Sequence, residues 1–393
     1  MGNMGYFEAD SGTLSDFAAL TAQKLVATEV PFAVAEESVH SNIPVYDMPA
    51  LADVLADPLQ RRKLMAEWAW VLGKSAGVIV LRQGQPDHDA IDRATGVFND
   101  IIVAEEEASG AKADHFAATG SNSRIWNALE KQCLADPKGF AAYFGSVAIE
   151  AACEAWVGPA YQMTAQVNVV RPGGQAQVAH RDYHLGFQTA AVAARFPAHV
   201  HDLSQVMTLQ GAIAHCDMPI ESGPTKLLPF SQLFRPGYMA YRRPEFAAFF
   251  EENYVQMPLQ KGDVLFFNPA LFHGAGPNTS HDIHRMANLL QVSSAFGRAM
   301  ENVDRRGMCK ALFPVIQRMS PTSGLSKVRC DAAIAAAAEG YGFPTSLDTD
   351  PPVGGLAPDS MAQLFHRGLE QGMLPEAFGD ALDAQAARQW GKI

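Results

Sequence analysis

An α+β fold, with a β core held between helical flanks, is what this sequence predicts. Three features lead there. Up to about residue 160, apolar positions recur at helical spacing and are punctuated by capping residues. From Gln162 to Ser294, short runs rich in Val, Leu, Phe and Thr alternate with turn clusters such as RPGG, ESGP, KGD and GPNTS, the pattern of a sandwich or barrel. Beyond Gly297 helical text returns. With 48% hydrophobic and 18% charged residues, the chain has the means to bury a large core.

Each element has a local reason. Ser15 to Val30 reads as a helix that Pro31 ends. Asp57 and Pro58 suit an N-cap and a first helical position for Leu59–Leu72. The β-branched run from Gly77 to Leu81 predicts a strand, and Asp87 starts a helix that reaches Glu107. Residues 109–124 read as a polar loop, followed by helices over Ile125–Lys131 and Pro137–Trp156. The core strands are expected in QMTAQVNVV, VMTLQGAIAHC, GPTKLLPF, DVLFFNP and MANLLQVSSAF. One short helix is expected between Thr189 and Gln205, and one over Pro236–Asn253. Further helices are predicted at Ala332–Glu339, Met361–Gln371 and Pro375–Trp390. The expected organisation is one domain over 1–393, with a helical part to about 160, a β core over about 161–298 and a helical extension over about 299–393.

Composition excludes several classes. The net charge is −12, from 42 acidic and 30 basic residues, and an acidic surface repels nucleic acid. The five cysteines are scattered without a C-x-x-C pair, so they read as reduced thiols in the cytoplasm. The N-terminus lacks a secretory pattern. Tyr6 replaces the Ser or Thr expected after a myristoylated Met-Gly start. The Ala-rich stretch Gly139–Gly158 carries Glu150 and Glu154 and reads as a buried helix, with no membrane partner expected.

The chemistry is carried by His180-Arg-Asp182 and the distant His273. Residues i and i+2 of a strand share a face, so His180 and Asp182 would project together at a strand end. His273 would join them from the later strand that begins DVLFF. Two imidazoles and a carboxylate on one face of an octahedral metal leave three positions open, the arrangement of non-haem Fe(II) oxygenases. Arg285, on the following strand, has the planar fork that pairs with a carboxylate. His180-Arg-Asp182 also spells a kinase catalytic motif, but Phe187 stands where that motif needs Asn. His184 alternates with the two ligands and is expected to point inward, touching substrate or orienting a ligand. Phe187 follows it as a substrate contact. Phe230, Phe234 and Tyr238 are candidates for an apolar wall, and His215, His281 and His284 read as structural or exposed.

Four segments, RPGGQAQVAHRDYH, ESGPTKLLPFSQ, KGDVLFFNPALFHGAGPNTS and HRMANLLQVS, resemble the phytanoyl-CoA dioxygenase family. Asp114-His-Phe and Arg124-Ile-Trp-Asn127 add a weaker likeness upstream. The resemblance implies a double-stranded β-helix, or jelly roll, with Fe(II) on His180, Asp182 and His273. It implies 2-oxoglutarate as cosubstrate, anchored by Arg285, with Gln166, Asn168 and Thr225 as further contacts. O2 and a small molecule would then be the substrates, with succinate and CO2 released. The competing reading is a cupin-like metal-binding barrel without oxygenase chemistry, or a family member that has lost activity.

Overall fold

Among the described residues, ten strands in two sheets frame the fold. The computed structural model describes residues 5–35, 41–109, 122–319 and 325–391, so the Met1-Gly2 start and Asp114-His115-Phe116 lie outside the described residues. In chain order the strands are β1 (Val45–Asp47), β2 (Val78–Arg82), β3 (Asn122–Ile125), β4 (Gln162–Val170) and β5 (Thr208–Ala214). Then come β6 (Lys226–Leu228), β7 (Val255–Gln256), β8 (Val264–Phe267), β9 (Phe272–Gly274) and β10 (Arg285–Ser293).

The large sheet runs β1-β2-β8-β5-β10-β4-β3, and the small one β7-β6-β9. All pairings are antiparallel except β1 with β2. Non-sequential neighbours of this kind, with the chain passing between a large and a small sheet, make the expected jelly roll.

Each sheet is sealed from behind by a different cluster. On the large sheet, residues such as Ile79, Leu290 and Val292 share one apolar core with Trp68, Phe98 and Phe140 of the flanking helices. Behind the small sheet, Phe272 packs among Phe17, Phe234, Phe246 and Phe250, with the Phe17 and Phe272 rings 4.7 Å apart. Because neighbours on a strand point to opposite faces, burying Phe272 there turns His273 toward the space between the sheets. The C-terminal helices Arg305–Arg318 and Pro375–Gln389 meet through stacked Phe313 and Phe378, 3.9 Å apart. Arg305 ties them to the core by donating to the Met163 carbonyl at 2.7 Å.

The helical text was legible with corrections. Asp57 caps the helix Pro58–Lys74 through the amides of Leu59 and Gln60. The expected helix over Pro137–Trp156 is two, because Ser146 caps a new start after Gly145. Ser15–Val30 shortens to Leu14–Thr21 and a 3-10 turn. The insertion 189–205 and the stretch 236–253 each hold two helices in place of one. Residues 122–125 form a strand on the edge of β4, where a loop and then a helix were expected; a four-residue strand with one apolar side chain, Ile125, is too short to show a periodicity. Among the described residues no helix is long and apolar enough to cross a membrane.

Between the large sheet and its helices lies a buried polar chain. His215 Nδ1 meets the Thr95 hydroxyl at 2.8 Å and its Nε2 meets the Tyr143 hydroxyl at 2.7 Å. Asn288 donates to the same Tyr143 oxygen at 3.2 Å. Burial, helped by the Lys261 charge, pushes the His215 imidazole from 6.5 down to about 3. The folded state therefore binds this proton less readily than the unfolded chain, so stability is full above about pH 6.5 and lost as pH falls toward 3. Denaturant midpoints measured across that window should fall more steeply for the parent than for His215→Gln. The slope attributable to one proton is up to about 1.4 kcal/mol per pH unit. Parallel curves would refute the assignment.

Candidate metal centre

A short backbone bridge brings the distant ligands together. The His180 amide donates to the His273 carbonyl at 3.0 Å, and the His273 amide returns a bond to His180 at 3.1 Å. The two rings stand 4.4 Å apart. Asp182, two residues on, is fixed by its amide to the Pro269 carbonyl at 3.0 Å. His273 sits on β9, in the small sheet, and not on a continuation of β8. The chain crosses between the sheets at 268–271, where the Asn268 side chain bonds to the Leu72 carbonyl and the Ala270 amide.

The donor atoms fit a metal. His180 Nδ1 lies 2.9 Å from the Val178 carbonyl and His273 Nδ1 lies 2.8 Å from that of Leu271. A carbonyl only accepts, so both Nδ1 atoms carry the proton and both Nε2 lone pairs are free. Those Nε2 atoms stand 3.8 and 3.5 Å from the Asp182 carboxylate, and ligand atoms of all three side chains lie within 4.8 Å of one another. Burial, followed by the neighbouring His273, lowers the His180 pKa, which keeps this ligand neutral. For Asp182 burial works toward a raised pKa. The neighbouring imidazoles and the Gln210 amide outweigh it, and hold the carboxyl well below its usual range.

Two supports complete the centre, and sequence reading missed both. Gln210 on β5 donates its amide to Asp182 Oδ2 at 2.6 Å. The alternation of Thr208, Gln210 and Ala212 was the available signal, but nothing in the text tied it to residue 182. Arg181, between the ligands, points the other way. It donates to the carbonyls of Ser231 and Phe234 at 2.6 and 2.9 Å and lies against the Tyr238 and Phe272 rings. Gly237 makes room for it, since a Cβ there would sit 1.9 Å from the guanidinium carbon.

The centre opens into a cavity of about 1010 Å³. Its floor is the inner face of the large sheet, where Ala212, Ala214 and Ala287 leave space. Arg285, Gln166, Asn168, Thr225 and Phe187 all line it. Arg285 is buried, donates to the carbonyls of Ser222 and Gly276 at 3.2 and 3.3 Å, and has no carboxylate partner among the described residues. Burial lowers its pKa to about 10, which leaves it charged near neutral pH. Gln166 accepts from Arg124 at 3.2 Å, and Asn168 Oδ1 makes no hydrogen bond among the described residues. His184 is the exception. At φ +57° the chain leaves the extended form, so the alternation fails there. Its ring lies tilted against Tyr183, with centroids 4.7 Å apart, and is absent from the cavity lining. Phe230, Phe234 and Tyr238 are core residues outside the lining.

The sequence profile of the Phytanoyl-CoA dioxygenase (PhyH) family matches residues 64–287, more than half of the chain. The chain belongs to the phytanoyl-CoA dioxygenase family. Membership brings Fe(II) and 2-oxoglutarate as the cofactors, and the two imidazoles and carboxylate are a donor set that suits iron. Among solved structures, the carbocyclase SnoK from nogalamycin biosynthesis is 19% identical, with a TM-score of 0.43 over 64% of this chain and 90% of its own. The epimerase SnoN from the same biosynthesis is 18% identical, with a TM-score of 0.38 over 61% and 84%. HygX from Streptomyces hygroscopicus is 13% identical, with a TM-score of 0.41 over 61% and 90%. No curated protein matches the chain.

Removing the Gln210 amide leaves Asp182 free to turn. Gln210→Leu is expected to weaken Fe(II) affinity about tenfold, as measured by competition with a chelator of known affinity. Unchanged affinity would show that Gln210 does not orient the carboxylate.

Proposed function

We propose that this family member is an Fe(II)- and 2-oxoglutarate-dependent dioxygenase that hydroxylates a small molecule and releases succinate and CO2. The observation that carries the reading is a two-His, one-Asp donor set sharing a cavity with Arg285, a buried arginine that has no acid partner among the described residues. With cosubstrate and O2 bound, the iron supplies the oxidising power for an unactivated C–H bond.

The protein's part is placement. His180, Asp182 and His273 would hold the metal, their ligand atoms lying within 4.8 Å of one another. Arg285 takes the far carboxylate of 2-oxoglutarate as a charge-assisted pair, worth more in a buried site than at the surface. The Thr225 hydroxyl and the amides of Gln166 and Asn168 are further contacts from the cavity wall. Phe187, exposed at the rim, touches the substrate body. Asp182 would supply the carboxylate ligand in whose place halide transfer needs a small side chain, which favours hydroxylation. A cupin-like metal protein would have no use for a lone buried arginine, so Arg285 also argues against the competing reading.

We further infer that residues 1–393 work as one oxygenase unit, and that the five free thiols suit a reducing, cytoplasmic setting.

Anaerobic addition of Fe(II) and 2-oxoglutarate should raise a weak visible charge-transfer band. Folded protein without that band would refute the proposal. Asp182→Ala is expected to abolish coupled succinate formation, as followed by product analysis. Arg285→Leu should raise the dissociation constant for 2-oxoglutarate about a hundredfold while the metal still binds. Wild-type cosubstrate affinity in that variant would remove Arg285 from the site.

A further inference from the structure

Two buried glutamines lie side by side at one end of the cavity, next to the metal ligands. Gln210 on β5 and Gln291 on β10 are register partners, and both line the cavity. They are 2% and 8% exposed. Each has a side-chain carbonyl oxygen that is buried and makes no hydrogen bond among the described residues. An orphaned buried acceptor carries a desolvation penalty of about 1–3 kcal/mol, so two together mark a place where a donor belongs.

The orientation of Gln210 is not a free choice. Its partner at 2.6 Å is the Asp182 carboxylate, which only accepts, so Gln210 must present its NH2 there. Its carbonyl oxygen is therefore an obligate acceptor, aimed away from the ligand. Gln291 has no side-chain hydrogen-bond partner among the described residues and can turn either end of its amide inward.

Two register positions further along the same strands, and so on the same face, Thr208 faces Ser293. There the Tyr183 hydroxyl meets the Ser293 hydroxyl at 3.0 Å, and none of these three lines the cavity. The glutamines are thus the last polar groups the cavity offers at this end. A fixed acceptor beside an adaptable amide suits a hydroxyl, which donates to one and accepts from the other.

We propose that Gln210 and Gln291 form a substrate subsite for an alcohol hydroxyl, setting the carbon that bears it beside the metal. The proposal rests on the Fe(II)/2-oxoglutarate reading and narrows its substrate class to hydroxylated molecules. It also gives Gln210 a second task, as the link between the bound hydroxyl and the metal-binding carboxylate.

The test uses full-length protein loaded anaerobically with Fe(II) and 2-oxoglutarate, with cyclohexanol and its methyl ether as probes. Both carry the same ring and an oxygen, but only the alcohol can donate. Binding is read from the shift of the charge-transfer band and by calorimetry. The expected result is alcohol binding at least about fivefold tighter than ether. That preference should vanish in Gln291→Leu, while Fe(II) and 2-oxoglutarate affinities stay within about twofold of the parent. In Gln210→Met it should vanish together with some metal affinity. Equal affinity for the two probes, including no binding by either, would overturn the subsite, as would a preference that survives both substitutions. A missing charge-transfer band in the parent would instead sink the oxygenase reading itself, so the two failures are distinguishable.

Discussion

The site depends on the pair of backbone hydrogen bonds between His180 and His273. This bridge sets two residues from distant parts of the chain opposite each other, and everything else refines it. Each ring is then oriented by a bond from its own Nδ1 to a carbonyl two residues earlier, so the tautomer is written into local backbone geometry. Asp182 closes the set because its amide is held by Pro269 and its carboxylate by Gln210. Arg181 does the complementary work, anchoring the ligand strand to the segment 231–237 with a side chain that never meets the metal.

The two sheets divide the labour. The large sheet spends its outer face on helix packing and on the Thr95–His215–Tyr143–Asn288 chain, a polar cluster whose hydrogen bonds fix how helix and sheet meet. Its inner face is thinned by Ala212, Ala214 and Ala287, and that thinning creates the cavity. The small sheet contributes little area. By sinking Phe272 into an aromatic cluster, it turns His273 the right way. A buried cation is expensive to keep without a partner, and Arg285 keeps only two neutral carbonyls. The fold tolerates that expense on the wall of the cavity, which supports the proposed carboxylate contact.

Much was legible in the text because strand and helix signals are local. The runs around Gln162–Val170, Thr208–Ala214 and Arg285–Ser293 announced themselves by composition, and Asp57-Pro58 announced a helix start. The candidate metal triad was readable because H-x-D sets two ligand types two residues apart and the family resemblance supplied the third. Where reading failed, the cause was a break in local regularity. A positive φ at His184 ended the alternation that pointed it inward. Gly145-Ser146 split a helix that composition made continuous. Three polar residues and Ile125 at 122–125 became a strand only because β4 offered an edge to pair with.

The sequence by itself determined most of the element types, the family and the three candidate metal ligands, since each rests on residues that are near neighbours or on a recognised motif. Tertiary structure decided the rest. The sheet on which His273 stands, the amide that steadies Asp182, the lack of an acid beside Arg285 and the pairing of Gln210 with Gln291 all follow from strand register. Register joins residues far apart in the chain, and a slip of one position would turn every one of those side chains to the opposite face.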